Sequence, residues 1–351
     1  MNGKLDKAIA VLAASGGNDL IQTLQSRGAF KLHDGVLTLR LPFYAPAWFN
    51  SLQAKTQVKL AALGITLHCT SQVATLQSNI ANPIAGIKNV LVVASGKGGV
   101  GKSTVSVNLA LALAAKGAKV GILDADIYGP SMPLMLGQSD ARPESHDGKT
   151  MLPIKAHGVV ANSIGFLVDK NDATVWRGPM ASKALAQILR ETQWGELDYL
   201  VVDMPPGTGD IQLTMAQQVP VTSALIVTTP QNVALADATK GINMFAKVNV
   251  PVVGLVENMS MHVCSQCGHE EAIFDQGGGV KLADAHNSEC LAQLPLHRQY
   301  REDTDAGTPT VTKSVDSPLS QAYLELAEKV AIKLYVDCPL GVQTIPIVSV
   351  N

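Results

Sequence analysis

Nine consecutive residues, Gly96-Lys97-Gly98-Gly99-Val100-Gly101-Lys102-Ser103-Thr104, constrain this chain more than any other feature. They satisfy the pattern G-x-x-x-x-G-K-[ST], follow an apolar run at 90–94 and precede a helical pattern at 103–116. A strand, a glycine-rich turn and a helix in that order make a phosphate cradle. The turn aims its backbone N–H groups inward, and the helix N-terminus adds positive potential. In such a cradle Lys102 reaches the terminal phosphates and the Ser103 hydroxyl binds Mg²⁺. Lys97 lies outside the minimal motif. It is either a solvated surface lysine or a cation that reaches phosphate across a dimer interface.

Short runs rich in Val, Ile and Leu recur at 90–94, 119–123, 199–202, 224–228 and 252–256, without polar alternation. That is the pattern of strands buried on both faces. Helical stretches such as 103–116 and 183–193 lie between them. The expected fold is therefore α/β, a doubly wound, mostly parallel sheet of the P-loop NTPase kind, with ligands bound beyond the carboxyl ends of the strands. Composition agrees: 46% of residues are hydrophobic, only 4% are aromatic, and there are 30 glycines, which suits tight helix–strand packing.

Residues 1–78 read as a small α+β domain. It comprises a helix over 5–25 broken near Gly16-Gly17, a hairpin of 29–32 and 36–41 turned at Asp34-Gly35, a helix over 46–63 and an alternating strand over 66–76. Residues 79–86 have the composition of a linker, and 87–351 form the P-loop ATPase domain.

Carboxylates close the second and third strands of that domain, in Asp124-Ala125-Asp126 and in Asp203-Met204-Pro205-Pro206-Gly207-Thr208-Gly209-Asp210. An acidic residue at a strand end beside a phosphate loop serves Mg²⁺ directly or through water. Asp203 is expected to hold Mg²⁺, Asp126 to orient the attacking water, and Asp124 to support the metal. The plainer alternative is that such residues merely end strands and cap helices.

Of five cysteines, only Cys264 and Cys267 are close in sequence, as Cys264-Ser265-Gln266-Cys267-Gly268-His269. Two thiolates suit one soft metal, but zinc and iron–sulfur sites usually take four ligands. Either Cys290 and Cys338 complete an intrachain site, or a second subunit donates an identical pair. Cys290, in a helix-like stretch, and Cys338 read as small hydrophobes, and His262 and His269 as solvated. Half a zinc knuckle and a redox disulfide remain alternatives for the pair.

These residues together resemble a known family. The loop at 96–104 is similar to the deviant phosphate loop of MinD/ParA-type ATPases. Four further motifs extend the likeness: Asp124-Ala125-Asp126-Ile127-Tyr128-Gly129-Pro130-Ser131, the run from Asp203 to Asp210, Thr229-Pro230-Gln231, and Glu257-Asn258-Met259-Ser260 ahead of the cysteine pair. With them the chain closely resembles the Mrp/ApbC family of iron–sulfur cluster carriers over roughly 80–335. The resemblance implies ATP binding with weak hydrolysis and a homodimer bridging a labile [4Fe–4S] cluster through Cys264 and Cys267. It also implies cluster transfer to apo iron–sulfur proteins. It makes Lys97 a lysine acting across the dimer and Asn258 an adenine contact. The front domain resembles one that commonly carries a Cys-Pro pair, but here reads Tyr44-Ala45-Pro46.

Other classes fit less well. A net charge of −2, and a segment at 336–351 without Lys or Arg, argue against nucleic-acid or membrane partners and hence against a partitioning ATPase. An electron-transfer ATPase of the nitrogenase iron protein type and a zinc-stapled dimeric ATPase stay open. The sparse, odd-numbered cysteines suggest a reducing compartment, the apolar run at 8–14 is too short for a signal peptide, and no run approaches a membrane span. A cytoplasmic protein is expected.

Overall fold

The computed structural model describes residues 2–168, 178–264 and 266–341. The chain opens with helices α1 (Asn2–Gly16) and α2 (Asn18–Ser26), separated at Gly17. Strands β1 (Phe30–His33) and β2 (Val36–Leu41) form an antiparallel hairpin through Asp34-Gly35, helix α3 (Pro46–Ala62) follows, and β3 (Thr66–Ser71) runs parallel to β2. The order in this small N-terminal sheet is β1-β2-β3. Successive side chains of a strand alternate faces, so Leu37, Leu39 and Leu41 all point into a cluster with Leu12, Leu24 and Leu52. β3 stops at residue 71 rather than the expected 76. Its partner β2 ends at Leu41 ahead of Pro42, and the following segment is tied elsewhere: Leu76 N–H donates to Asn89 Oδ1 and Gln77 N–H to Pro339 O.

The larger domain carries β4 (Ile87–Ala94), α4 (Lys102–Ala115), β5 (Val120–Asp124), α5 (Met132–Met135), β6 (Ile154–Ala156), β7 (Val159–Ser163), α6 (Gly178–Glu191), β8 (Leu197–Asp203) and α7 (Asp210–Gln218). It continues with β9 (Ser223–Thr228), α8 (Asn232–Lys247), β10 (Val252–Val263), β11 (Glu270–Glu271), α9 (Gly278–Ala285), β12 (Cys290–Leu296), α10 (Arg298–Asp305), α11 (Thr310–Lys313) and α12 (Pro318–Asp337). The strands order as β11-β10-β9-β4-β8-β5-β7-β6, with β12 also parallel to β10; only β6 and β11 pair antiparallel. The doubly wound, mostly parallel sheet is thus present.

Strand residues divide between two cores. Leu91, Val93, Val201 and Leu225 join α4 and α12 on one face, while Val90, Val92, Leu200, Val202 and Ile226 join α6, α7 and α8 on the other. Burial on both faces explains the absence of polar alternation. Two features escape the sequence reading. The β6–β7 hairpin, turned at His157-Gly158, is too short to show a period. Cys290, expected in a helix-like stretch, instead opens strand β12. Helix α9 has ended by residue 285, and Leu291 and Leu294 turn inward beside β10.

The two domains meet along α12. The Arg27 guanidinium donates to Tyr335 O at 2.6 Å and to Cys338 O at 3.3 Å, and lies 4.5 Å from the Tyr335 ring centroid. Glu328 accepts the N–H groups of Ala47 and Trp48, at 3.0 and 2.9 Å, at the N-terminus of α3. It also pairs with Lys116 at 2.6 Å. Among the described residues no helix is long and apolar enough to cross a membrane.

Candidate nucleotide and metal site

All the motifs fall at the carboxyl edge of the sheet. Leaving β4, the backbone turns through residues 95–101 and enters α4 at Lys102. Gly101 has φ +84°, and a Cβ there would collide with the Asn258 amide; at Gly96 it would collide with the Asp237 backbone. The loop therefore packs too tightly for side chains at either point. Lys102, 6% exposed, places its ammonium 2.8 Å from Asp203 Oδ1 and 3.2 Å from Ser103 Oγ. Ser103 Oγ donates to Asp203 Oδ2 at 2.7 Å. Ser106 Oγ lies 2.5 Å from Asp203 Oδ1. Asp203, fully buried, is thus held by one cation and two hydroxyls, which together offset the cost of burying its charge.

Asp124 and Asp203 are direct neighbours across the β5–β8 ladder. Asp124 Oδ2 accepts Ser163 Oγ at 2.9 Å and the N–H groups of Ser131 and Met132 at 3.0 Å, and Oδ1 accepts Asp126 N–H at 3.2 Å. Burial, followed by the negative charge of Asp203, pushes its pKa up to about 7. Its oxygens hold the loop that follows β5 and the end of β7 at Ser163, so it shapes that corner of the site. Asp126 is half-buried and accepts Gly129 N–H at 3.3 Å. Burial raises its pKa, with Lys102 opposing and Asp203 adding to the rise. Lys102, Ser103, Asp124, Asp126 and Asp203 accordingly form one electrostatic cluster.

Lys97 sits half-buried in the loop, and its ammonium makes no hydrogen bond or ion pair among the described residues. Its carbonyl accepts the Ser95 hydroxyl at 2.9 Å. Asn258, on β10, donates from Nδ2 to Val100 O at 2.8 Å, joining the phosphate loop to that strand. Gly98 and Gly99 are exposed, Val100 is buried beneath the loop, and the Thr104 carbonyl accepts Asn108 Nδ2 at 2.9 Å.

β10 runs out of the sheet to the cysteine pair. Residues 262–263 pair with Glu270 and Glu271 of β11, so Cys264 and Cys267 occupy the tip of a hairpin. Cys264 N–H donates to His269 O, and Gly268 N–H to Cys264 O, both at 2.9 Å. Cys267 is exposed and Cys264 partly so. Hydrogen bonds from the Cys267 and Gln266 backbone, then the Cys267 side chain, lower the Cys264 pKa. The other cysteines are remote. Cys290 faces Leu255, nine residues and about 30 Å of strand before Cys264. Cys338 Sγ lies at Thr222 O, at the opposite end of the sheet from the loop. Among the described residues no three His, Cys, Asp or Glu side chains group as a metal site.

Residues 86–331 match the ParA family description "NUBPL iron-transfer P-loop NTPase". The chain belongs to this family. The iron-sulfur cluster carrier protein of Haemophilus influenzae is 58% identical over 316 residues, 87% of this chain and 85% of that protein. The iron-sulfur cluster transfer protein NUBPL of Mus musculus is 50% identical over 254 residues, 72% of this chain and 79% of that protein. Among solved structures, the nucleotide-binding protein of Archaeoglobus fulgidus in complex with ADP superposes with a TM-score of 0.57 at 37% identity, covering 63% of this chain and 87% of that one. The cell division ATPase MinD of Pyrococcus furiosus shares the fold, with a TM-score of 0.52 at 24% identity over 69% of this chain and 98% of that one.

Within this NTPase, three residues of the site escape the sequence reading. Ser106 lies one helical turn after Ser103, a spacing that was legible. Ser163 ends a strand too short to recognise. Glu257, fully buried, accepts Gly277 N–H and Gln293 Nε2 on Oε1, at 3.0 and 2.8 Å, and Gly279 N–H on Oε2 at 2.5 Å. It anchors β10 to the start of α9, and its sequence gives no sign of that partner.

Proposed function

We propose that the chain is an ATP-binding and ATP-hydrolysing iron–sulfur cluster carrier. Two copies hold one [4Fe–4S] cluster as cargo between their Cys264 and Cys267 pairs and pass it to apo iron–sulfur proteins. The observation that carries this reading is the isolation of the pair: two thiols at an exposed hairpin tip, with Cys290 and Cys338 far away. A four-thiolate site then needs the same two thiols from a second copy, and a two-fold axis supplies them. Names borne by the relatives, iron-sulfur cluster carrier and transfer proteins, support the same cargo.

The nucleotide chemistry follows from the cluster around Asp203. Ser103 and Asp203 present a hydroxyl and a carboxylate 2.7 Å apart, hard oxygen donors that fit Mg²⁺. Ser103 and Asp203 would hold Mg²⁺, with Asp124 shaping the neighbouring loop, and the ion would neutralise phosphate charge. Lys102 exchanges Asp203 for the β- and γ-phosphate oxygens, and the N–H groups of residues 96–104 surround them. Asp126 accepts a hydrogen bond from the attacking water and aims it. Lys97, whose ammonium has no partner among the described residues, would stabilise charge on the phosphate of the facing subunit. The sparse, odd-numbered cysteines of the sequence favour a reducing, cytoplasmic setting.

Native mass spectrometry of anaerobically reconstituted protein tests this. A dimer with the mass of one [4Fe–4S] unit, lost in Cys264→Ala and kept in Cys290→Ala, is expected. A dimer with one zinc and no iron–sulfur mass, or a metal-loaded monomer, overturns it.

A further inference from the structure

Strand β10 touches both halves of the site. Asn258 bonds Val100 O of the phosphate loop, and Cys264 lies six residues on, about 20 Å of strand. Between them the strand is irregular. Met259 has φ +59°, a left-handed conformation that long L side chains avoid. The pairing with β12 shifts at the same place: Asn258 faces Leu294 and His262 faces Leu296, so four steps along β10 match two along β12. Beyond this bulge β10 pairs with the two-residue strand β11 through His262 and Val263, and side chains add ties to β12. Ser260 Oγ donates to Leu294 O at 3.3 Å, and His262 Nδ1 lies 3.2 Å from Leu296 O.

Before the bulge β10 is clamped, because Glu257 is fastened to Gly277, Gly279 and Gln293. A displacement at Asn258 has one soft direction, forward through Met259. Any shift of the loop backbone as it takes up phosphate would reach Asn258 through its bond to Val100 O. Lys102 now rests on Asp203 and must leave it to meet phosphate. Gly101 lies against Asn258 so closely that no Cβ fits between them, and a Cβ there would also come within 3.7 Å of Met259 Cε. Movement of residues 100–101 therefore meets both side chains.

We propose that Asn258 and the Met259 bulge act as a positioning link that transmits nucleotide occupancy of the phosphate loop to the Cys264–Cys267 turn, changing how those thiols are presented. This rests on the reading of residues 96–104 as a nucleotide site. It does not require the thiols to hold iron.

The test uses the metal-free, reduced full chain. Iodoacetamide alkylation of Cys264 is timed by peptide mass spectrometry with and without Mg·ADP, and ADP affinity is measured by calorimetry on every variant. In the native chain Mg·ADP should change the Cys264 rate by about fivefold or more, the scale of a typical coupling between two sites. Met259→Gly, for which a positive φ costs little and the joint turns freely, should bind ADP equally and respond by less than about twofold. Met259→Asn tolerates the left-handed conformation but keeps a Cβ, and should retain most of the native response. An undiminished response in Met259→Gly would show that the thiol is shielded by subunit contact alone and would overturn the link. ADP binding to the native chain with no change in alkylation also overturns it. No ADP binding at all overturns the nucleotide reading itself, and the link with it.

Discussion

Lys102 and Asp203 form a buried ion pair, 2.8 Å apart, in a sheet edge shaped for an anion that neither residue supplies. The lysine neutralises the carboxylate, and on the proposed reading it exchanges that partner for phosphate when nucleotide binds. Lys102→Ala should therefore do two things. It removes a phosphate contact, lowering ATP affinity about 100-fold, and it strands a buried charge, lowering stability by about 3 kcal/mol. Calorimetric titration and urea unfolding measure the two separately.

Lys97 separates from Lys102 in its expected effect. It has no ion-pair partner among the described residues, so Lys97→Ala should leave stability within about 0.5 kcal/mol of the native chain. A lysine acting on phosphate across a dimer predicts a fall in kcat of about 100-fold or more, with KM for ATP changed only a few-fold. Steady-state ATPase assays above and below the dimerisation concentration check this.

Glu328 ties the small domain to the large one. It caps α3 through the N–H groups of Ala47 and Trp48 and neutralises Lys116. Glu328→Ala should cost about 2–3 kcal/mol, since it leaves helix N–H groups and a half-buried ammonium without a partner. The loss should fall on the junction. Hydrogen exchange should quicken in α3 and at residues 72–78, and much less in β4 and β8.

Cys338 gives a pH dependence of definite sign. Burial, then the charge of Asp337, pushes its pKa up to about 11, against an ordinary value of 9.0. The unfolded chain thus releases this proton first. Stability is fully present below pH 9 and is lost as pH rises from 9 towards 11, by up to about 2 kcal/mol. Urea unfolding at pH 8 and 10.5 should show the loss, and Cys338→Ala should remove it. At pH 8 iodoacetamide should modify Cys264 and Cys267, while Cys338 reacts only after unfolding.

Much of this was legible in the residues. The loop at 96–104 and the buried runs at 90–94 and 199–202 announced a parallel sheet with a phosphate site at its carboxyl edge. The Asp34-Gly35 turn marked the hairpin of the small sheet. What could not be read were contacts made by residues far apart in sequence. Ser163 reaches Asp124 from a strand of five residues, Glu257 meets Gly277 and Gly279 of another element, and Asn258 meets Val100 across 158 positions.

The sequence by itself determined the local chemistry: which turn can surround phosphate, which strands lie between two layers of helices, and which thiols come as a pair. These follow from spacing along a strand or helix, where backbone geometry sets the distances. Tertiary structure alone decided that Asp124 and Asp203 share a ladder, that Cys290 and Cys338 lie far from the paired thiols, and that one strand touches both the phosphate loop and the cysteine turn. Those relations depend on the order in which strands assemble. That order is set by the burial of whole faces rather than by any residue's near neighbours.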